Sequence, residues 1–497
     1  MKILLVKPYP ELSVAKRLSE AFLHLEPLEL EIVAGGIPHE HKARILDLSV
    51  EKSPVRAFDD CLDTYRPDLI GFTGYSSTAH IVKDLAQRAK KTLEKVWIIV
   101  GGIHATIYPG DYAVPHMDAV IRGEGATSMT RILERISWNL PLHDDVNILA
   151  PSHPEFQSLA AAAPPPYAQI GEIPSPRRDL VDRSRYFCIW THSDTGRLDT
   201  IFPRVASLRT SLGCPFSCSF CVIPFAMNKA YLQRTPEDVA DEIERLEEDH
   251  IYFVDDEMFI NMKRVTRIAE ILKERNIRKK YISWARSDTI VRHPEVFRLW
   301  KEVGLDVVYV GLESMNEEQL DRYNKKTSFE TNKEAVRILK EIGITLHAAF
   351  IVDPEYTKED FRRLERDIET LGPAEITFTV LSPSPGTELF QANKDNFICD
   401  AFRFYDCMHS VLPTKLPLKQ FYQHFGRLYS LALRANPLRM RKIWIPKKDL
   451  LTAIGLGTRY IFSLYRIYRD YPKSMHKKSD DTLLEAARRE GFSRHGG

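Results

Sequence analysis

The stretch GCPFSCSFC, residues 213–221, places three thiols on one short segment, at Cys214, Cys218 and Cys221. Thiols this close read as metal or redox ligands. A closed structural zinc site needs four ligands, usually as two pairs. No second CxxC pair exists here, and the other cysteines are singletons at positions 61, 188, 399 and 407. Iron–sulfur clusters also commonly take four cysteine thiolates. Three thiolates without a fourth leave one iron of a cubane cluster open, and an open position on a metal is a binding site.

The chain around this segment is ordinary in bulk. It has 497 residues, 44% apolar and 28% charged, with net charge +1. That length predicts two or three domains. The charge balance advertises no nucleic-acid partner. The opening MKILLV is too short for a signal peptide, and no uncharged apolar run is long enough to span a membrane. Seven cysteines in such a chain suit a reducing compartment rather than a disulfide framework. The lone Cys188, among aromatic residues, reads as a buried free thiol.

Downstream of the cysteines, short Val/Ile/Leu runs alternate with amphipathic stretches. VASLRTS, HIYFVDDE, KYISWARSD, VVYVGLES, TLHAAFIVD and EITFTVLSPSPG read as six strands. Thr235 or Asp238 caps the helix that follows the first. The same grammar opens the chain in KILLVKP, ARILDLS, DLIGFTG, VWIIVGG and DAVIRGEG. Such alternation predicts a doubly wound parallel sheet, with ligands beyond the carboxyl ends of its strands. Those ends carry Tyr75, Ser76, Gly101, Gly102, His104 and Gly125, so backbone can approach a large ligand closely. No GxGxxG is present, which argues against a nicotinamide dinucleotide. Residues 151–178 are proline-rich and lose periodicity, as a connector does.

CxxxCxxC with an aromatic residue before the last cysteine resembles the signature of the radical S-adenosylmethionine (SAM) superfamily. The resemblance implies a 4Fe–4S cluster on Cys214, Cys218 and Cys221, whose open iron chelates SAM, and a 5′-deoxyadenosyl radical formed by reductive cleavage. It implies a partial (β/α)6 TIM-type barrel with its site at the carboxyl ends of the strands. Phe220 would lie against adenine. Asp255 or Asp256, with Glu257 also open, would receive the SAM amino group, and Glu313 with Ser314 would hold the ribose. Residues 1 to about 140, through GFTGYSSTAH, IIVGGIHATIYPGDY and DAVIRGEGA, resemble the cobalamin-binding domain of many such enzymes. The cobalt-ligating DxHxxG is replaced by KPYPEL, so cobalamin would bind without that lower histidine. His104 is placed with the cofactor-binding set as a hydrogen-bonding residue rather than a cobalt ligand.

The expected layout is a Rossmann-like cobalamin-binding domain (1–145), a linker (146–195), a radical SAM barrel (196–392) and a helical basic C-terminal region (393–497). Between 434 and 478 lie twelve Lys/Arg against two acids, Asp449 and Asp470. A basic helix with an aromatic face suits a membrane surface, and a packed cover over the barrel is the other outcome. Across its length the chain resembles the hopanoid C-3 methylases. That implies radical methylation of an unactivated carbon, of a hopanoid-like or other isoprenoid lipid. Cobalamin-dependent ring formation without methyl transfer, on a tetraether lipid or a porphyrin, is the alternative. A one-electron donor such as flavodoxin or ferredoxin is implied, with a cytoplasmic location at the inner membrane face.

Overall fold

The computed structural model describes residues 1–143, 147–193, 195–372, 375–399, 401–434 and 444–492. The first sheet contains β1 (Lys2–Lys7), β2 (Lys42–Asp47), β3 (Leu69–Thr73), β4 (Trp97–Gly101), β5 (Ala119–Ile121) and β6 (Ile148–Leu149), in the order β2-β1-β3-β4-β5-β6. All neighbours are parallel except β6, which runs antiparallel to β5. β1 shows why the sheet is covered on both faces. Leu4 and Val6 pack with helices Pro54–Tyr65 and Ala79–Thr92, while Ile3 and Leu5 pack with helices Leu28–Gly35 and Ala126–Ser137. The strand order reverses between β1 and β3, where ligands of doubly wound sheets sit. The expected boundary at residue 145 lies outside the described residues.

The second sheet holds β7 (Val205–Leu208), β8 (His250–Phe253), β9 (Lys280–Ala285), β10 (Leu305–Glu313), β11 (Thr345–Val352) and β12 (Glu375–Val380), parallel and in sequence order. This is the expected six-strand partial barrel, with β7 and β12 as unpaired edges. Thr235 is the residue that caps the first helix, accepting from the Asp238 amide at 3.3 Å. A two-residue ribbon, Leu23–His24 with Phe187–Cys188, leads Trp190 and the buried Cys188 into the lower lumen against Tyr252, Ile282 and Val307. The C-terminal helices Leu418–Arg434 and Lys447–Leu464 join the barrel's own core. Tyr429 pins the first of them to β12, donating to the Phe378 carbonyl and accepting from its amide.

The linker connects the two domains and also walls the cavity between them. Buried Arg122 holds it by donating to the carbonyls of Leu159 (3.0 Å) and Ala162 (2.7 Å). Further along, Arg178 is the junction of the molecule. It pairs with Glu26 of the first domain and donates to Glu242 (2.8 Å) and the Ser207 carbonyl (2.7 Å) of the barrel. Glu31 stands 3.7 Å away, fully buried, with neither carboxylate oxygen hydrogen-bonded. Burial, then the nearby charge of Glu26, raises Glu31 to about 8.

Two outcomes follow. Arg178→Met leaves buried carboxylates facing one another, and denaturant unfolding should show a loss of roughly 3–5 kcal/mol. Glu31 stays protonated in the fold at pH values where the unfolded chain has released that proton. Its contribution therefore declines as pH rises from the ordinary carboxylate range toward 8. Thermal melts of Glu31→Gln against wild type should show a flatter pH dependence over that window.

Candidate active site at the facing mouths of the two sheets

After β7 the chain turns into a short strand, Ser211–Leu212, paired antiparallel with Leu232–Gln233, and the cysteine loop hangs between them. Gly213 opens the loop at φ +83°, where a Cβ would lie 2.1 Å from the Ala230 carbonyl oxygen, so only glycine fits. Cys214, Cys218 and Cys221 are unpaired and partly exposed, and the Cys221 amide donates to the Cys218 carbonyl at 3.1 Å. Burial pushes Cys214 up to about 11 and Cys221 up to about 12. Metal binding would therefore displace protons from these thiols. The Arg286 guanidinium lies 3.9 Å over the Phe216 ring and points a nitrogen at the Cys218 sulfur, also 3.9 Å. A fixed cation beside thiolate ligands offsets the negative charge such a cluster would bring.

The acids at the end of β8 divide their work differently from expectation. Asp255 accepts from the Thr210 amide (3.0 Å), the Thr210 hydroxyl (2.7 Å) and the Ser211 hydroxyl (2.5 Å). Asp256 accepts from the Gly213 amide at 2.8 Å. Both carboxylates brace the start of the cysteine loop. Glu257 is buried, accepts only the Phe259 amide among the described residues, at 3.2 Å, and faces Arg286 and Lys325. Burial raises it to about 7. Exposed Asp256 and buried Glu257 each accept a single hydrogen bond among the described residues, so both keep lone pairs that could receive a ligand's ammonium group.

Glu313 ends β10 in the left-handed region at φ +61°, and Lys325 holds its carboxylate at 2.8 Å. A non-glycine residue held there marks a site where the surroundings impose the geometry. Ser314 is less available. Its hydroxyl donates to Gln319 at 2.6 Å and accepts the Asn316 amide, bracing a turn. Phe220 packs edge-on to Tyr323, with ring centroids 5.6 Å apart.

Opposite this mouth lies a cavity of about 200 Å³ that all three segments build. The first sheet contributes Gly71, Gly101, Gly102 and Gly125, the linker Tyr167 and Pro174, and the barrel Arg209. Gly71 sits mid-strand beside Leu5 and Met129, whose side chains a Cβ there would meet at 2.9 and 3.3 Å. Gly101 has room, since a Cβ there would meet only Ile121, at 3.7 Å. Gly102 adopts φ +95°. Tyr75 stands at the mouth with 63% of its surface exposed. His104 is withdrawn. It is fully buried, with Nδ1 on Ser76 (3.0 Å) and Nε2 on Asp111 (3.2 Å), which Lys83 holds in turn. Both nitrogens have protein partners, so His104 and Ser76 brace the loop from beneath. Sequence reasoning missed Arg209 and Tyr167.

A cysteine loop over an open six-strand barrel, facing a glycine-floored cavity in a doubly wound sheet, defines a radical SAM enzyme with a cobalamin-binding domain. Residues 208–368 match the radical SAM superfamily and residues 17–133 the B12 binding domain. The hopanoid C-3 methylase of Methylococcus capsulatus is 33% identical over 92% of this chain and 84% of its own length. An anaerobic magnesium-protoporphyrin IX monomethyl ester cyclase of Rubrivivax gelatinosus is 29% identical over 71% of this chain and 63% of its own. In fold, the cobalamin-dependent SAM radical enzyme OxsB aligns at TM-score 0.63 and 17% identity, covering 98% of this chain and 83% of that one. The radical SAM methyltransferase TsrM of Kitasatospora setae aligns at 0.61 and 15%, covering 94% and 98%. The chain belongs to the cobalamin-dependent radical SAM methylases, and its cofactors are a 4Fe–4S cluster, SAM and cobalamin.

The three cysteines with Arg286 fit the cluster, and the glycine-floored cavity fits part of a large flat ligand. Gly101→Leu should abolish cobalamin absorbance in reconstituted protein while iron content stays. Cys214→Ala/Cys218→Ala/Cys221→Ala should do the reverse. Glu257→Gln should weaken SAM binding by roughly 1.5–3 kcal/mol, the usual worth of a hydrogen bond to a charged group, with iron retained. Asp255→Asn should instead lower iron retention, because it loosens the loop.

Proposed function

We propose that the methyl acceptor is a rigid polycyclic isoprenoid lipid of the hopanoid kind. The relative that carries this proposal is the hopanoid C-3 methylase, similar over nearly the whole chain. The barrel lumen supports it. Trp284, Tyr309, Gly311, His347, Ala349, Thr377 and Thr379 alternate along β9 to β12, and each keeps partial exposure while its strand neighbours Ser283, Val308, Val310, Ala348 and Phe378 are buried. The upper lumen is therefore open, unlike the packed interior of a closed barrel.

One wall is flat and aromatic. Trp284 stacks on Tyr309 at 4.6 Å and Tyr309 on His347 at 3.9 Å. Ala349 leaves width, Gly311 makes room for the Glu313–Lys325 pair that a Cβ there would strike, and Thr379 offers a hydroxyl. His347 is fixed between Glu375 (3.1 Å) and Thr377 (2.5 Å), so its ring keeps one orientation. Such a slot suits an apolar ring skeleton. A carboxylate-bearing macrocycle would need cations in the well, and the Lys or Arg that these four strands leave partly exposed is Lys280, at the start of β9 and paired with Asp306 at 3.1 Å. This disfavours the porphyrin alternative.

When bound, the cluster with SAM supplies hydrogen-atom abstraction from an sp3 carbon, and cobalamin supplies the methyl group. The protein's part is positional. Glu257, Glu313 and Lys325 present charge at the mouth, and the aromatic wall orients the substrate below it. The linker and Trp190 shut the cavity and the lower lumen against water. A one-electron donor such as flavodoxin or ferredoxin, and work at the cytoplasmic membrane face, belong to the same proposal.

Reduced holoprotein given a pentacyclic hopanoid and SAM should yield 5′-deoxyadenosine and a lipid heavier by one CH2 unit. A cyclised product with no added carbon would transfer the enzyme to the ring-forming class. Ala349→Trp should cut methylated product by about 100-fold through misplacement of the substrate, while SAM cleavage, iron and cobalamin persist.

A further inference from the structure

Helix Lys447–Leu464 has two faces of opposite character. Inward, Tyr460 packs edge-on to Phe22 (5.2 Å) and Tyr429 (5.6 Å), and Ser463 and Leu464 are buried. Outward, Leu451, Ile454 and Phe462 are 61%, 56% and 57% exposed. With exposed Thr458 their spacing of three, four and four residues puts them in one row. Exposed Trp444 stands just ahead of the helix. Single exposed apolar residues are normal on proteins, and a continuous row on one helix is not.

The charges around the row have one sign. Lys447, Lys448 and Arg459 are exposed, and by helical position they stand in or beside it. Arg466 and Arg469 follow, also exposed. The two acids among residues 444–478 are both turned to the protein. Asp449 is buried and accepts from the Ile201 amide at 3.2 Å, and Asp470 is bound to His409 at 3.0 Å. What this helix turns to solvent is an apolar row with Lys and Arg beside it.

We propose that this face seats on an anionic lipid surface. An apolar row inserts at the headgroup boundary while the basic border meets lipid phosphates. A second copy of the chain is the poorer occupant, since a two-fold contact would set the same cations against themselves. The placement suits access to the barrel. Asp449 and the Trp444 carbonyl, which accepts the Leu198 amide at 3.1 Å, tie the helix to the segment entering β7. Tyr460, through Tyr429, ties it to β12. The helix thus bridges the two edges between which the barrel is open. The docking surface deepens the lipid proposal and rests on it only for what the docking serves.

The experiment is flotation of full-length holoprotein with hopanoid-free vesicles of phosphatidylglycerol and phosphatidylcholine, against phosphatidylcholine alone. Wild type should float with the anionic vesicles at low salt and be partly released as salt rises. Leu451→Asp/Ile454→Asp/Phe462→Asp should reduce partitioning by about tenfold or more. Lys447→Glu/Lys448→Glu/Arg459→Glu should remove the preference for anionic lipid. Melting temperature, iron content and 5′-deoxyadenosine formation should hold in both, because all six side chains are exposed. Wild type that ignores anionic vesicles overturns the proposal, as does a triple-Asp variant that floats like wild type. A dimer that the Asp substitutions split, with no vesicle binding, hands the face to a second copy. Vesicle binding without a methylated lipid product would leave the surface standing and remove the hopanoid substrate.

Discussion

The buried guanidinium of Arg178 holds two parallel sheets mouth to mouth. Its partners come from the first domain, through Glu26, and from the barrel, through Ser207 and Glu242. A cation with several buried acceptors at fixed positions permits little sliding, because any shift leaves a desolvated carboxylate unpaired. The register it sets decides whether the glycine ends of β3 and β4 face the cysteine loop. Neither mouth is a complete site alone, since the cavity between them needs Arg209 from the barrel and Tyr167 from the linker.

The cysteine loop shows a second economy of the fold. Its three thiols must stay free to bind metal, so carboxylates from the neighbouring strand hold its backbone instead. Asp255 takes the Thr210 amide and the hydroxyls of Thr210 and Ser211, and Asp256 takes the Gly213 amide, while Asp256 and Glu257 keep lone pairs toward the mouth. Glu313 is held by Lys325 in a conformation few residues adopt unforced. Strand ends and their braced loops thus carry the groups placed at the mouth.

Much of this was legible in the sequence. Eleven of the main strands could be read directly, because a parallel sheet buried on both faces leaves unbroken Val/Ile/Leu runs. The antiparallel β6, two residues at Ile148, has no such run. The cysteine cluster is local, so its spacing carries its meaning. What could not be read depends on distant partners. Whether Asp255 or Glu257 is free is settled by Thr210 and Ser211, more than forty residues away. The fate of His104 turns on Ser76 and Asp111 closing over both ring nitrogens. Residues 151–178 read as a connector because proline removes periodicity, and that their extended chain also walls a cavity depends on distant partners such as Arg122. The C-terminal helix was visibly amphipathic and basic. Which face it would bury was decided by Phe22 and Tyr429, and its packing over the barrel leaves a second apolar row outside.

The central claim is that one chamber between the two sheets holds both cofactors. A crystal structure of the reconstituted holoprotein tests it most directly. It should show cobalamin seated over Gly71, Gly101 and Gly125 beneath Tyr167 and Arg209, facing a cluster on Cys214, Cys218 and Cys221. Cobalamin bound elsewhere, or a lower cobalt ligand drawn from His104, would contradict it.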